Sequence, residues 1–196
     1  VNDQNIAAVN CVVPSDQALV GHNTDVAGVD EALGTTAASA RVAMIGAGGA
    51  ARAGLASLKK RGAEEIRIVA RHTEVANELL REFGLSGQAF SFADAGDALG
   101  DCGGVINASP LGMRGYPDMP GMVLDALTGL RPGSFALDMV YAPLRTSFLE
   151  RSQAAGLHAI DGLQMLIGQA AYAFRLFFGA DAPRGEDADL RALLTR

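Results

Sequence analysis

Residues 41–51 read RVAMIGAGGAA, a short apolar run that passes directly into a glycine-rich turn, and the fold depends on what that turn is for. RVAMI has the character of a buried parallel strand, and GGAARAGLASLKKRG after it has the spacing of a helix. Between them Gly46, Gly48 and Ala51 form G-x-G-x-x-A. In this setting each small residue has a physical task. Gly46 makes the tight turn, Gly48 lets backbone approach a pyrophosphate, and the third small position lets helix and strand pack closely. A helix opening at Gly49 and Ala50 offers free N–H groups and the positive end of its dipole to that anion. Gly46, Ala47, Gly48, Gly49 and Ala50 are therefore candidate cofactor-binding residues, the alternative being a tight turn with no ligand.

Outward from this turn the chain alternates. The strand-like segments EIRIVA, QAFSF, GGVINAS, FALDMV and LHAID are separated by the helical patterns TEVANELLREFG, ADAGDALGD, MVLDALTGL and TSFLERSQAAG. Short apolar strands alternating with helices imply an α/β fold, a doubly wound parallel sheet of Rossmann type with both faces covered and right-handed crossovers. Ahead of it, AAVNCVV, the turn residues Pro14-Ser15-Asp16 and ALVGHN read as a β-hairpin, followed by the helix-like DVAGVDEALG. A two-stranded hairpin is marginal alone and needs something to pair with. The chain ends with GLQMLIGQAAYAFRLFFG, apolar almost all round, and an acid-capped GEDADLRALLTR.

Cofactor preference is read at the end of the second sheet strand, where an acid bonds a ribose 2′-hydroxyl and an arginine accepts a 2′-phosphate. Here that strand ends Val69-Ala70-Arg71, with Glu64 and Glu65 at its other end and Glu74 already in the next helix. Arg71 is the group placed for a phosphate, which favours NADP over NAD; its alternative is a solvated surface cation. His72 either assists the phosphate or faces water.

Sixteen basic against twenty-two acidic residues leave a net charge of −6, and only Lys59-Lys60-Arg61 gathers positive charge, so nucleic acid is a poor partner. There is no apolar run of about 18 residues and no signal-peptide pattern, which argues against a membrane and for a cytoplasmic protein. Cys11 and Cys102 match no metal-ligand spacing and read as buried thiols of a reducing compartment.

With these pieces assembled, the chain resembles the nicotinamide-binding part of the shikimate dehydrogenase family. AVNCVV is similar to the family's AVNT strand, GHNTD to G-x-NTD, IGAGGAAR to its fingerprint, NASPLGM to NATPxGM, LDMVYAPLRT to DxVYxPxxT, and DGLQMLIGQAAYAF to DGLxMLxxQAxxAF. The resemblance implies reduction of 3-dehydroshikimate to shikimate with NADPH. It implies that Asn10 and Asp25 bond substrate hydroxyls, Asp25 being the candidate catalytic residue, that Tyr141 and Gln169 complete the pocket, and that Met139, Gly162 and Met165 line the nicotinamide end. In the family Asp25 would work beside an acid/base lysine. The two lysines here, Lys59 and Lys60, lie at the far end of the helix after the fingerprint, about 15 Å from its start by helix geometry. The expectation is thus a chain lacking most of the family's N-terminal substrate domain. Residues 1–25 would be its remnant hairpin, 26–180 the NADP-binding domain and 181–196 a terminal helix. Ala70 stands where the family has the Asn of NRT and Val75 where a second basic residue helps hold the phosphate, so an NAD-using quinate or shikimate dehydrogenase is the runner-up, and a nucleotide-binding module without chemistry is another reading.

Several residues keep two readings. Asp25 can ligate substrate or cap DVAGVDEALG. Strand alternation through GHNTD places Gly21, Asn23 and Asp25 on one face, with Val20, His22 and Thr24 on the other, turning His22 from the site. Tyr141 is either a site phenol at a strand's carboxyl end or a half-buried tyrosine. Gln169, a lone amide in an apolar helix, needs a partner, for which a substrate hydroxyl would serve. Met165, one turn earlier, faces the nicotinamide or packs the core.

Overall fold

The computed structural model describes residues 6–15, 18–35 and 40–195. Its central feature is a parallel sheet of six strands, β3 (Arg41–Ile45), β4 (Glu65–Val69), β5 (Gly87–Phe90), β6 (Gly104–Asn107), β7 (Phe135–Asp138) and β8 (His158–Ile160), in the order β5-β4-β3-β6-β7-β8. The chain starts in the middle, walks out to β5, returns across β3 and walks out again to β8. Between β3 and β6 the winding reverses, and there open α/β sheets leave a crevice outside the strand carboxyl ends.

The strands are apolar throughout because both faces are covered. Val42 and Met44 point into one cluster with α1 (Asp25–Leu33), α2 (Gly49–Lys60) and α3 (Thr73–Phe83), joined by Met165 of α7 (Gly162–Phe178). Ala43 and Ile45 point the other way, to α4 (Ala95–Leu99), α5 (Gly121–Ala126) and α6 (Ser147–Ala154). This two-residue alternation is the strand period, and it explains why RVAMI is apolar at every position after Arg41. The expected doubly wound sheet is therefore present, with the predicted strands and helices in their predicted order.

The hairpin is β1 (Cys11–Ser15) against β2 (Ala18–His22), with Cys11 opposite His22. Pro14 and Ser15, expected in the turn, belong to β1, Pro14 lying opposite Leu19. A two-stranded ribbon has a free edge on each strand, which tolerates a residue without an N–H. Asp16, the third expected turn residue, and residues 36–39 of TTAASA lie outside the described residues. The strand begins at Cys11 rather than Ala7, whose φ of +52° takes it out of extended conformation.

At the other end a short 3₁₀ turn at Arg184–Glu186 leads into α8 (Asp187–Leu194). The expected acid cap makes no side-chain capping bond; instead Arg184 engages Asp187 and, through both guanidinium nitrogens, Glu31 of α1. Arg191 forms a similar bidentate pair with Asp161, the N-cap residue of α7. Both cysteines are buried and unpaired, and among the described residues no helix is long and apolar enough to cross a membrane.

Candidate functional site at the sheet's carboxyl edge

The fingerprint turn sits where the topology requires, at the end of β3 beside the end of β6. Gly46 has φ +98°, and its N–H donates to the Val69 carbonyl at 2.8 Å, extending the β3–β4 ladder by one residue. A Cβ on Gly46 would lie 3.0 Å from Ser109 Cβ and 3.1 Å from the Ala108 carbonyl oxygen. Glycine is thus required twice over, by conformation and by the neighbouring loop. Gly48 caps α2 with no side-chain hydrogen bond, and a Cβ on Gly48 or Gly49 would meet nothing within 4 Å. Ala51 is fully buried in the core. The helix N-terminus therefore faces open ground with its N–H groups unclaimed by a side-chain cap, an arrangement that fits a pyrophosphate.

Beside this turn lies a cavity of about 430 Å³. It is lined by Gly46 and Ala47, by Arg71, His72 and Val75, and by Ser109 to Leu111 with Tyr116. Arg71 and His72 are both exposed, at the start of α3. An apolar pocket edged by a guanidinium and a helix N-terminus fits an adenosine carrying a phosphate. Tyr116 and Phe92, which also line it, went unremarked in the sequence because neither carries a motif.

Three of the residues expected to hold substrate assemble around Thr24. Its N–H donates to Asn10 Oδ1 at 2.8 Å, and its hydroxyl, 3.3 Å from the same oxygen, lies 2.8 Å from Gln169 Oε1. Asp25 follows directly and hydrogen-bonds the Asn10 side chain; burial raises its carboxyl above the usual range, while Asn10 opposes the shift. Asn10, Asp25 and Gln169 are thus brought together by a residue that sequence reasoning set on the opposite face. The reason is local. Strand β2 ends at His22, so alternation stops before Asn23, and both Asn23 and Thr24 are buried. Nor is Asp25 the cap: Thr24 is the N-cap residue, and Asp25 opens α1, its N–H bonded to Asn23 Oδ1 at 3.1 Å.

Helix α7 reaches this cluster because two glycines let it approach α1. A Cβ on Gly28 would stand 2.5 Å from the Met165 carbonyl oxygen, and one on Gly168 would stand 3.0 Å from Glu31 Cβ. The partner of the Gln169 amide is accordingly the Thr24 hydroxyl. Met165 is buried in the core cluster, and Met139 is half-buried against it, its Cε 3.3 Å from where a Cβ on Gly54 would be. Gly162 presses on the end of β7, where a Cβ would meet the Val140 carbonyl oxygen at 2.5 Å. Tyr141 lies three residues beyond β7 and is 51% exposed, so it is a loop residue rather than a strand-end one.

Neither lysine belongs to this edge. Lys59 donates to the Phe83 carbonyl and Lys60 to Asp30, both at the far end of α2.

Residues 162–194 match the family model described as Shikimate 5'-dehydrogenase C-terminal domain. A curated NADP(+) shikimate dehydrogenase of Sphingopyxis alaskensis is 45% identical over 191 residues, covering 96% of this chain and 67% of that enzyme. Among solved structures, shikimate 5-dehydrogenase of Thermus thermophilus in complex with NADP(H) and shikimate is 33% identical with a TM-score of 0.76, covering 96% of this chain and 69% of that one. Quinate dehydrogenase from Corynebacterium glutamicum in complex with NAD is 28% identical with a TM-score of 0.83, covering 97% and 69% respectively. Fold, fingerprint geometry and these likenesses agree: the chain belongs to the shikimate dehydrogenase family.

Proposed function

We propose that the chain is the nucleotide-binding and partial substrate-binding portion of an NADP-dependent shikimate dehydrogenase. The observation that carries this reading is the Gly46 turn, with its positive φ and the open ground before α2. Gly46 to Ala50 would hold the pyrophosphate, Arg71 the 2′-phosphate, and Met139, Gly162 and Met165 the nicotinamide end. The bound nicotinamide supplies or accepts hydride. Asn10, Asp25, Gln169 and Tyr141 would hold the substrate hydroxyls, with the Thr24 hydrogen bonds tying Asn10 to Gln169. Proton exchange at the reacting oxygen needs a group at hydrogen-bond range, which Lys59 and Lys60 cannot reach. A cytoplasmic location accompanies this reading, in keeping with two buried, unpaired thiols.

Val75, 50% exposed on the cavity wall where a second cation would grip the phosphate, favours one further reading, an enzyme of the same family that also accepts NAD. Titration with NADPH and NADH tests both. Tighter binding of NADPH supports the first, equal affinities the second, and no affinity for either overturns the nucleotide site. Turnover of shikimate with NADP+ by these 196 residues is expected to be negligible; robust turnover would show that a group other than lysine moves the proton.

A further inference from the structure

Asp138, at the end of β7, is wholly buried and takes no part in the chemistry above. Its Oδ1 accepts from Asn107 Nδ2 at 2.9 Å and from the Val140 N–H at 3.0 Å, and its Oδ2 accepts from the Thr146 hydroxyl at 2.5 Å. Each partner commits a different piece of the site. Asn107 ends β6, and its Oδ1 accepts from both the N–H and the hydroxyl of Ser109, at 3.1 and 2.7 Å. Ser109 is the residue against which Gly46 is packed. Thr146 caps α6 by accepting from the Leu149 N–H at 3.2 Å, closing the loop that carries Met139 and Tyr141. The Asp138 carbonyl, for its part, lies 2.8 Å from where a Cβ on Gly162 would be.

We propose that Asp138 is a positioning residue that fixes the spacing between the fingerprint turn and the loop 139–146, and so sets how well the nicotinamide end of the dinucleotide is held. The inference rests on the nucleotide reading above and goes beyond it by assigning work to a side chain that would touch neither cofactor nor substrate. A purely structural role is a poor account. Burial pushes this carboxyl up to about 6 despite three donors, so the ionised form is held at a cost, and the three donors it satisfies belong to three different segments. What an apolar residue cannot do is hold two loops and a helix cap at one point, with directional bonds to each.

The test compares two ligands that share the adenosine end. NADPH spans both ends of the site, whereas 2′,5′-ADP carries the phosphorylated adenosine without the nicotinamide. Thr146→Val removes the donor to Oδ2, Thr146→Ser keeps it, and Asp138→Asn replaces the carboxylate by an amide of the same shape. NADPH affinity is expected to fall about tenfold in Thr146→Val and Asp138→Asn, as misplacing contacts at one end implies, with 2′,5′-ADP affinity unchanged within about twofold. Thr146→Ser is expected to restore NADPH binding. Equal losses for both ligands, or no loss in either variant, would overturn the proposal, as would a parent protein that binds the two ligands equally well. A parent that binds neither would instead sink the nucleotide site itself. If Thr146→Val proves unfolded by near-UV circular dichroism, Asp138→Asn alone decides, because its amide oxygen still accepts from Asn107 and Val140 while its NH2 meets the Thr146 hydroxyl with a donor where the carboxylate offered an acceptor.

Discussion

The two ends of this molecule are held by different means. At the sheet's carboxyl edge, Asn107, Asp138 and Thr146 are buried among strands with almost no exposed atom, and each bonds the next. On the hairpin, Leu19 is 75% exposed and Val12 49%, and Asn10 just ahead of it is itself exposed. The sheet's carboxyl edge is over-determined, with topology, core packing and a polar network all imposing one geometry. The ribbon hangs on a few hydrogen bonds around Asn23 and Thr24. A change at the first end should cost stability or affinity sharply, whereas the same chemistry on the ribbon should cost little.

The largest effect should come from Ile106→Ala, since Ile106 is fully buried in β6 between both halves of the sheet. Such truncations cost about 2–5 kcal/mol. For a domain of this size that lowers Tm by roughly 2–4 °C per kcal/mol, which thermal unfolding would measure.

Asp138→Asn comes next and has a pH signature. Burial lifts the carboxyl from its ordinary 3.8 to about 6. A raised carboxyl contributes its full stability below about pH 4 and loses it as pH rises through about 6, a span worth on the order of 3 kcal/mol. Asparagine does not titrate. The Tm of the variant minus that of the parent should therefore grow between about pH 4 and about pH 7, and a difference independent of pH would show that the carboxyl is not raised.

Arg71→Ala should weaken NADPH binding by roughly 10- to 100-fold, the worth of a charge-assisted bond, and leave NADH nearly unchanged. Equal losses measured by calorimetry would make Arg71 a support of the fold. The smallest effect should be that of Leu19→Ala, within about 0.5 kcal/mol, as for an exposed surface substitution. A loss as large as that of Ile106→Ala would abolish the contrast between the two ends.

The sheet could be read from the sequence because its signal is local. RVAMI, EIRIVA and FALDMV are short apolar runs, and Gly46 and Gly48 stand between strand and helix as a phosphate turn demands. The polar network could not be read. Asn107 and Asp138 are 31 positions apart and meet through a sheet pairing that no periodicity encodes. Thr24 was misplaced for a different reason, since period-two reasoning holds only while the strand lasts and β2 stops two residues short of it. Its partner, Gln169, is 145 residues away. Gly28 gave a signal that could have been used, a glycine inside a helix, which commonly marks a close approach of another backbone.

That approach has a mechanical consequence. With the Met165 carbonyl against Gly28 and Glu31 against Gly168, α1 and α7 leave each other no room to slide, so Asp25 and Gln169 travel as a single lever fastened to the sheet. Any rocking of the ribbon must then pivot ahead of Thr24, around Asn10 and Asn23, where the Asn23 amide grips the Ala8 carbonyl at 2.9 Å. Slow amide exchange shared by the segments of both helices around Gly28 and Gly168, with faster exchange confined to the ribbon, would reveal such a pivot.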